Sequence, residues 1–174
     1  MCGPNPAGML ALFVVRVKHV AFFPRIAAGL LLGSITLDAG ISWAFWGFIP
    51  ETLGFQETER ETGHGPQFTQ SLQWQIPQDE PQKVGIYDGL RQAELIFLTM
   101  DQHEQIRSIG TPDAPARLLT TALVEQGSPG LSGYQCSAQA VSAIRAPFAA
   151  KGYAAQMPVE DPADVPPPDP DPLG

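Results

Sequence analysis

Residues 26–49, IAAGLLLGSITLDAGISWAFWGFI, form a block of 24 residues with a single ionisable side chain, Asp38. Nothing else in the chain constrains its fold as strongly, because an apolar stretch of this length matches the thickness of a bilayer. As an α-helix it would extend roughly 36 Å, against a hydrocarbon core of about 30 Å. Pro24 stands where a first helical turn tolerates proline, and Pro50 ends the pattern. Trp43, Phe45, Trp46 and Phe48 crowd one end, and Phe22 and Phe23 mark the other, as rings do at a membrane–water interface. The block therefore predicts one transmembrane helix over 26–49.

Charge supplies an orientation. Residues 1–25 carry Arg16, Lys18 and Arg25 and no acid, whereas residues 51–174 carry 17 acids against 7 bases. Basic flanks stay in the cytoplasm, so 1–25 reads as a cytoplasmic leader, with the remainder periplasmic and the protein in an inner (plasma) membrane. Within the leader, Met9–Val15 is apolar; Met9 as the true start and residues 9–23 lying in the interface are both open readings. The competing reading of the whole segment is a secretory signal cleaved after Ala44, where Ser42-Trp43-Ala44 presents small residues. The acidic bulk argues against nucleic acid, whose phosphates need Lys and Arg.

Beyond Pro50, residues 51–82 are rich in Glu, Gln, Thr and Pro and read as an exposed linker. Inside it, Leu72, Trp74 and Ile76 alternate with Gln73 and Gln75, a short strand signal that Val84 and Ile86 repeat, as a hairpin would. Residues 83–156 read as a small extracytoplasmic domain. Leu90, Ala93, Phe97 and Met100 follow helical spacing over 88–109, although Leu95–Leu98 suits a buried strand equally. Thr111-Pro112-Asp113 opens a second helix that Gly127 and Pro129 close. A third helix spans about 132–151, with Ala140, Val141 and Ile144 on its core side and Pro147 as a break. Residues 157–174 hold seven prolines and five acids, a disordered, polyproline-like tail. The expected fold class is membrane-anchored and mainly α: one transmembrane helix, a helix-rich outer domain with α+β as the alternative, and that tail.

Reactive chemistry is sparse. His19 lies in the leader, His64 follows Glu57, Glu59 and Glu61, and His103 neighbours Asp101 and Glu104; none has a second His or Cys at ligand spacing. Cys136 has no nearby His, and Cys2 falls on the other side of the proposed membrane. GSPGLSG lacks the strand and Lys-Ser/Thr of a phosphate loop. Neither a catalytic residue nor a cofactor or metal is expected.

The apolar block offers contacts instead. Wound as a helix, Gly29, Gly33, Thr36, Gly40, Ala44 and Gly47 share one line, a small-residue stripe that admits a close neighbour helix. Ser34, Asp38 and Ser42 share the opposite line, and a carboxyl at mid-bilayer calls for a polar partner. The expected function is a non-enzymatic accessory or assembly subunit of a larger membrane complex, its partners other transmembrane helices and the lipid bilayer. The alternatives are an exported soluble binding domain released after Ala44, and an ion-path component using Asp38.

Overall fold

The structure, a computed structural model, describes residues 8–77, 85, 89–124 and 133–149. It is built from antiparallel strands. Among the described residues, no helix is long and apolar enough to cross a membrane.

β1 (Met9–Arg16) reads MLALFVVR, and its Ala11–Val15 core is buried on both faces. Burial on two sides explains an unbroken apolar run where a half-exposed strand would alternate. β9 (Leu95–Asp101) is a second such strand, paired antiparallel with β1. On the far side of β1 lies β6 (Ala44–Phe45), and on the far side of β9 lies β10 (Ile106–Ile109). Sheet I thus has the order β10-β9-β1-β6.

Sheet II joins β7 (Gly54–Thr62), β8 (Gly65–Pro77), β11 (Arg117–Val124) and β12 (Gly133–Ser142) in the order β11-β12-β8-β7. Here the sequence does alternate. Leu72, Trp74 and Ile76 of β8 and Cys136, Ala138 and Ala140 of β12 are buried. Opposite them, Gln73 and Gln135 are exposed and Gln75 and Ser137 half-buried. The two sheets close on a shared core in which Leu12, Val14, Phe97 and Ile109 meet Leu72, Trp74, Ile76 and Ala138. Trp46, Trp74 and Phe97 form its aromatic centre, with ring centroids 5.7–5.9 Å apart and tilted or edge-on, the arrangement ring quadrupoles favour.

The other face of sheet I is covered by the chain between β1 and β6. A 3-10 turn (Val17–His19) leads into β2 (Val20–Phe22), β3 (Ile26–Ala27), β4 (Leu30–Leu31) and β5 (Thr36–Leu37). β2 pairs with β5 and β3 with β4. Leu31, Ile35 and Trp43 from this layer pack on Ala11, Phe13, Val15, Ile96, Leu98 and Ile106, a second core.

These facts correct the expected fold class. Residues 26–49 are not the single-pass transmembrane helix expected, and the described residues are mainly β rather than mainly α; the block forms the β3–β4 hairpin, β5, which pairs with β2, and the edge strand β6. The physical cause lies in the turns. Ala28, Gly29 and Gly40 take positive φ values of 51°, 76° and 81°, a left-handed conformation that interrupts a right-handed helix. Exposure alternates along Leu30, Leu31 and Leu32, with the middle residue at 1 % and its neighbours at 45 % and 60 %, a period of two that a hydropathy count does not register.

The helices expected beyond Pro50 are strands as well. The described part of 88–109 supplies β9 and β10, the segment after Thr111 leads into β11, and residues 133–142 are β12. Thr111 does cap, accepting a hydrogen bond from the Ala114 N–H at 3.1 Å through Oγ1, but the motif closes a turn before a strand. In β11 the sequence Leu-Leu-Thr-Thr favours extension through its β-branched pair. The strand signal at Leu72–Ile76 lies within β8, and β7 and β8 occupy most of the stretch read as a linker. The continuation of that signal at Val84 and Ile86, and the tail 157–174, lie outside the described residues.

Candidate docking surface

The residues singled out from a helical reading are dispersed by the hairpins. Gly29 and Gly40 occupy exposed turns, Gly33 a bend beside Pro24, and Gly47 follows β6. Thr36 is exposed on β5, and Ala44 pairs with Val14 on β6. The small-residue stripe therefore does not exist as a helix face. Ser34 is half-buried, Asp38 and Ser42 are exposed. Asp38 belongs to a turn, its N–H donating to His19 O at 2.9 Å and its carbonyl accepting from Ile41 N at 3.0 Å. The mid-bilayer carboxyl is a solvated turn residue.

The histidines stay apart: His19 in the 3-10 turn, His64 in the β7–β8 turn, and His103 in a turn whose N–H donates to Asp101 Oδ1 at 2.8 Å. Cys136 is fully buried.

What the structure does bring together is a row of side chains running across sheet I. Beyond β10 the sheet is prolonged by residues 147–149, with Ser108 N donating to Pro147 O and Ala149 N to Ile106 O, at 2.9 and 2.8 Å. The same segment pairs onward with β4, since Phe148 N donates to Gly29 O and Leu31 N to Phe148 O, both at 2.8 Å. Arg107 is thus bridged to Phe148, and Phe148 to Leu30. Side chains in register on neighbouring strands share a face, so Arg107, Phe148 and Leu30 stand side by side. Leu32 follows two residues after Leu30 and opposes Arg25, whose carbonyl accepts the Leu32 N–H at 2.9 Å. Leu30, Leu32 and, in the adjoining pairing, Phe22 are 45 %, 60 % and 59 % exposed.

Across from this row, β7 contributes Phe55, Glu57 and Glu59 from its inner side. The Arg107 guanidinium lies over two rings, 4.6 Å from the Phe55 centroid and 4.3 Å from that of Phe148. Burial draws its pKa below the ordinary arginine value, opposed by the charges of Glu57 and Asp101. Next to it, Arg145 stacks 4.8 Å over Phe68 and binds Glu57 and Glu59 at 3.2 and 2.6 Å. Glu57 also accepts the Ala146 N–H at 2.7 Å. Gln70, 2 % exposed, holds the same seam from within, donating to Ile144 O and accepting from Gly110 N. A shallow groove of about 190 Å³ lined by Gly54, Phe55, Gln56, Ser71 and Gln73 adjoins Phe55.

Sequence reading missed the Arg107 clamp because its parts come from positions 55, 107 and 148, with no local spacing to mark them. The exposed leucines carried a signal, the out-in-out pattern of 30–32, which was absorbed into an apolar total. Compared with known proteins, the chain matches no family model, no curated protein and no solved structure.

Proposed function

We propose that the protein is a non-enzymatic accessory or assembly subunit that docks on a partner protein through the outward side of the β3–β4 hairpin and its neighbours. The observation that carries this reading is the exposure of Phe22, Leu30 and Leu32 within eleven residues of one another. Three exposed large apolar side chains in so short a stretch support an interaction site there. Covering them would contribute on the order of a few kcal/mol at about 25 cal/mol per Å². The alternative of a domain released after Ala44 finds no support in the fold, because that cleavage would remove β1, which lies between β9 and β6 in sheet I.

The test is native electrophoresis of cell extract containing the tagged full chain. The wild type is expected in an assembly larger than a monomer. A Leu30→Ser/Leu32→Ser variant, with the thermal midpoint of the purified protein unchanged within a few degrees, is expected to be released from it. A wild type that migrates as a free monomer, or a folded variant that stays assembled, contradicts the reading.

A further inference from the structure

We propose that Arg107 is a receptor for a carboxylate presented by the docking partner, the polar anchor of the apolar surface that Leu30 and Leu32 begin. The inference rests on the docking reading above and adds the chemistry of the partner: an apolar segment that carries an Asp, a Glu or a chain terminus.

The geometry leads there in three steps. The guanidinium carbon stands over two aromatic rings, 4.6 Å from the Phe55 centroid and 4.3 Å from that of Phe148. Cation–π contact of this kind leaves the guanidinium N–H groups, five donors in a fixed fork, to find hydrogen-bond acceptors. Among the described residues none accepts a hydrogen bond from them.

Neither of the two nearby acids is hydrogen-bonded to Arg107, and both hold other partners. Glu57 gives Oε1 to Arg145 and Oε2 to the Ala146 N–H. Asp101 Oδ1 accepts from His103 N and Gln105 N at 2.8 and 3.0 Å. Each acts on Arg107 through its field alone, and burial still outweighs them both. A half-buried cation held over two rings, with no acceptor for its N–H groups among the described residues, fits a planar, bidentate acceptor, and a carboxylate has that shape.

The third step is position. Arg107, Phe148 and Leu30 are neighbours in register on one face of the sheet. A partner seated on Leu30 and Leu32 therefore reaches the clamp within two strand spacings, about 10 Å. Apolar contact and charge recognition then belong to one surface.

The experiment uses the full chain labelled with 15N and follows the Arg107 Nε–Hε resonance, assigned by its loss in Arg107→Lys. Sodium acetate is titrated against sodium chloride at equal ionic strength. A saturable shift with acetate and not with chloride is expected. In extract, Arg107→Gln should weaken the assembly about tenfold or more, as loss of a charged hydrogen-bonded anchor does. No saturable response to acetate, or the same response to chloride, overturns the proposal. So does a resonance that moves without acetate when Glu160, Asp161 and Asp164 are changed to their amides, because the chain's own acids would then fill the fork. Failure of the acetate titration with Leu30→Ser/Leu32→Ser still dissociating the assembly removes the carboxylate and leaves docking standing. An acetate response with the leucine variant still assembled does the reverse.

Discussion

Replacing Gly110 by alanine should destabilise the protein by about 1–4.5 kcal/mol, and three contributions set that range. Gly110 has φ of +83°, a conformation that costs an L-residue roughly 1–2 kcal/mol. A Cβ built there lies 2.8 Å from Ala116 N and 3.0 Å from Leu95 O. Those two atoms cannot step aside, because Ala116 N donates to Leu95 O at 2.8 Å and Leu95 N returns the bond to Ala116 O at 2.9 Å. This reciprocal pair ties the start of β9 to the approach to β11, so the intruding methyl acts as overpacking, at about 1–3 kcal/mol. The reduced freedom of the unfolded chain gives back about 0.4–1 kcal/mol. The assay is urea unfolding followed by tryptophan fluorescence, which reports on Trp46 and Trp74 in the shared core. With a slope of about 1–3 kcal/mol per molar, the midpoint should fall by roughly 1 M. Gly63→Ala is the control: that position is exposed in the β7–β8 turn, with nothing within 4 Å of an added Cβ, and should change stability by less than about 0.5 kcal/mol. Equal behaviour of the two variants would refute the reasoning.

Gln70→Leu should cost about 1–3 kcal/mol by leaving the buried Gly110 N–H and the Ile144 carbonyl without their side-chain partner; denaturant unfolding measures it, and a neutral result would show that the seam is not held by Gln70. In a Cys2→Ser background, Cys136, at 0 % exposure, should react with a thiol reagent only at the rate of unfolding; fast reaction of the native protein would contradict its place opposite Trp74.

What the sequence makes legible depends on how locally each feature is encoded. Leu72-Gln-Trp74-Gln-Ile76 writes its alternation in consecutive residues, and β8 follows it. The same alternation is present in Tyr134-Gln-Cys-Ser-Ala-Gln-Ala140, yet small alanines suit helix and strand alike, and only pairing with β8 decides for a strand. In residues 26–49 the apolar total satisfies two incompatible solutions, a span of lipid and a layer packed on another apolar sheet. The second is realised because β1 and β9 present Phe13, Val15, Ile96 and Leu98 on their outer side, and β9, more than 50 residues beyond Leu31, Ile35 and Trp43, is invisible to a window. The aromatic contacts of Arg107 are further still from legible: a β-strand arginine reads as a solvated surface residue until Phe55 and Phe148 are placed against it.

The apolar block folds as strands upon β1 and not as a helix, and one contact distinguishes the two. Trp46 N donates to Leu12 O at 2.8 Å, so the next pair in register, Phe13 with Phe45, is a non-hydrogen-bonded antiparallel pair with Cα atoms about 4.5 Å apart. Their rings meet edge to face at 5.6 Å. A strong Hα–Hα nuclear Overhauser effect between Phe13 and Phe45 is expected in the isotope-labelled full chain. Its absence, together with contacts from each residue to the third beyond it across 26–49, would contradict the account.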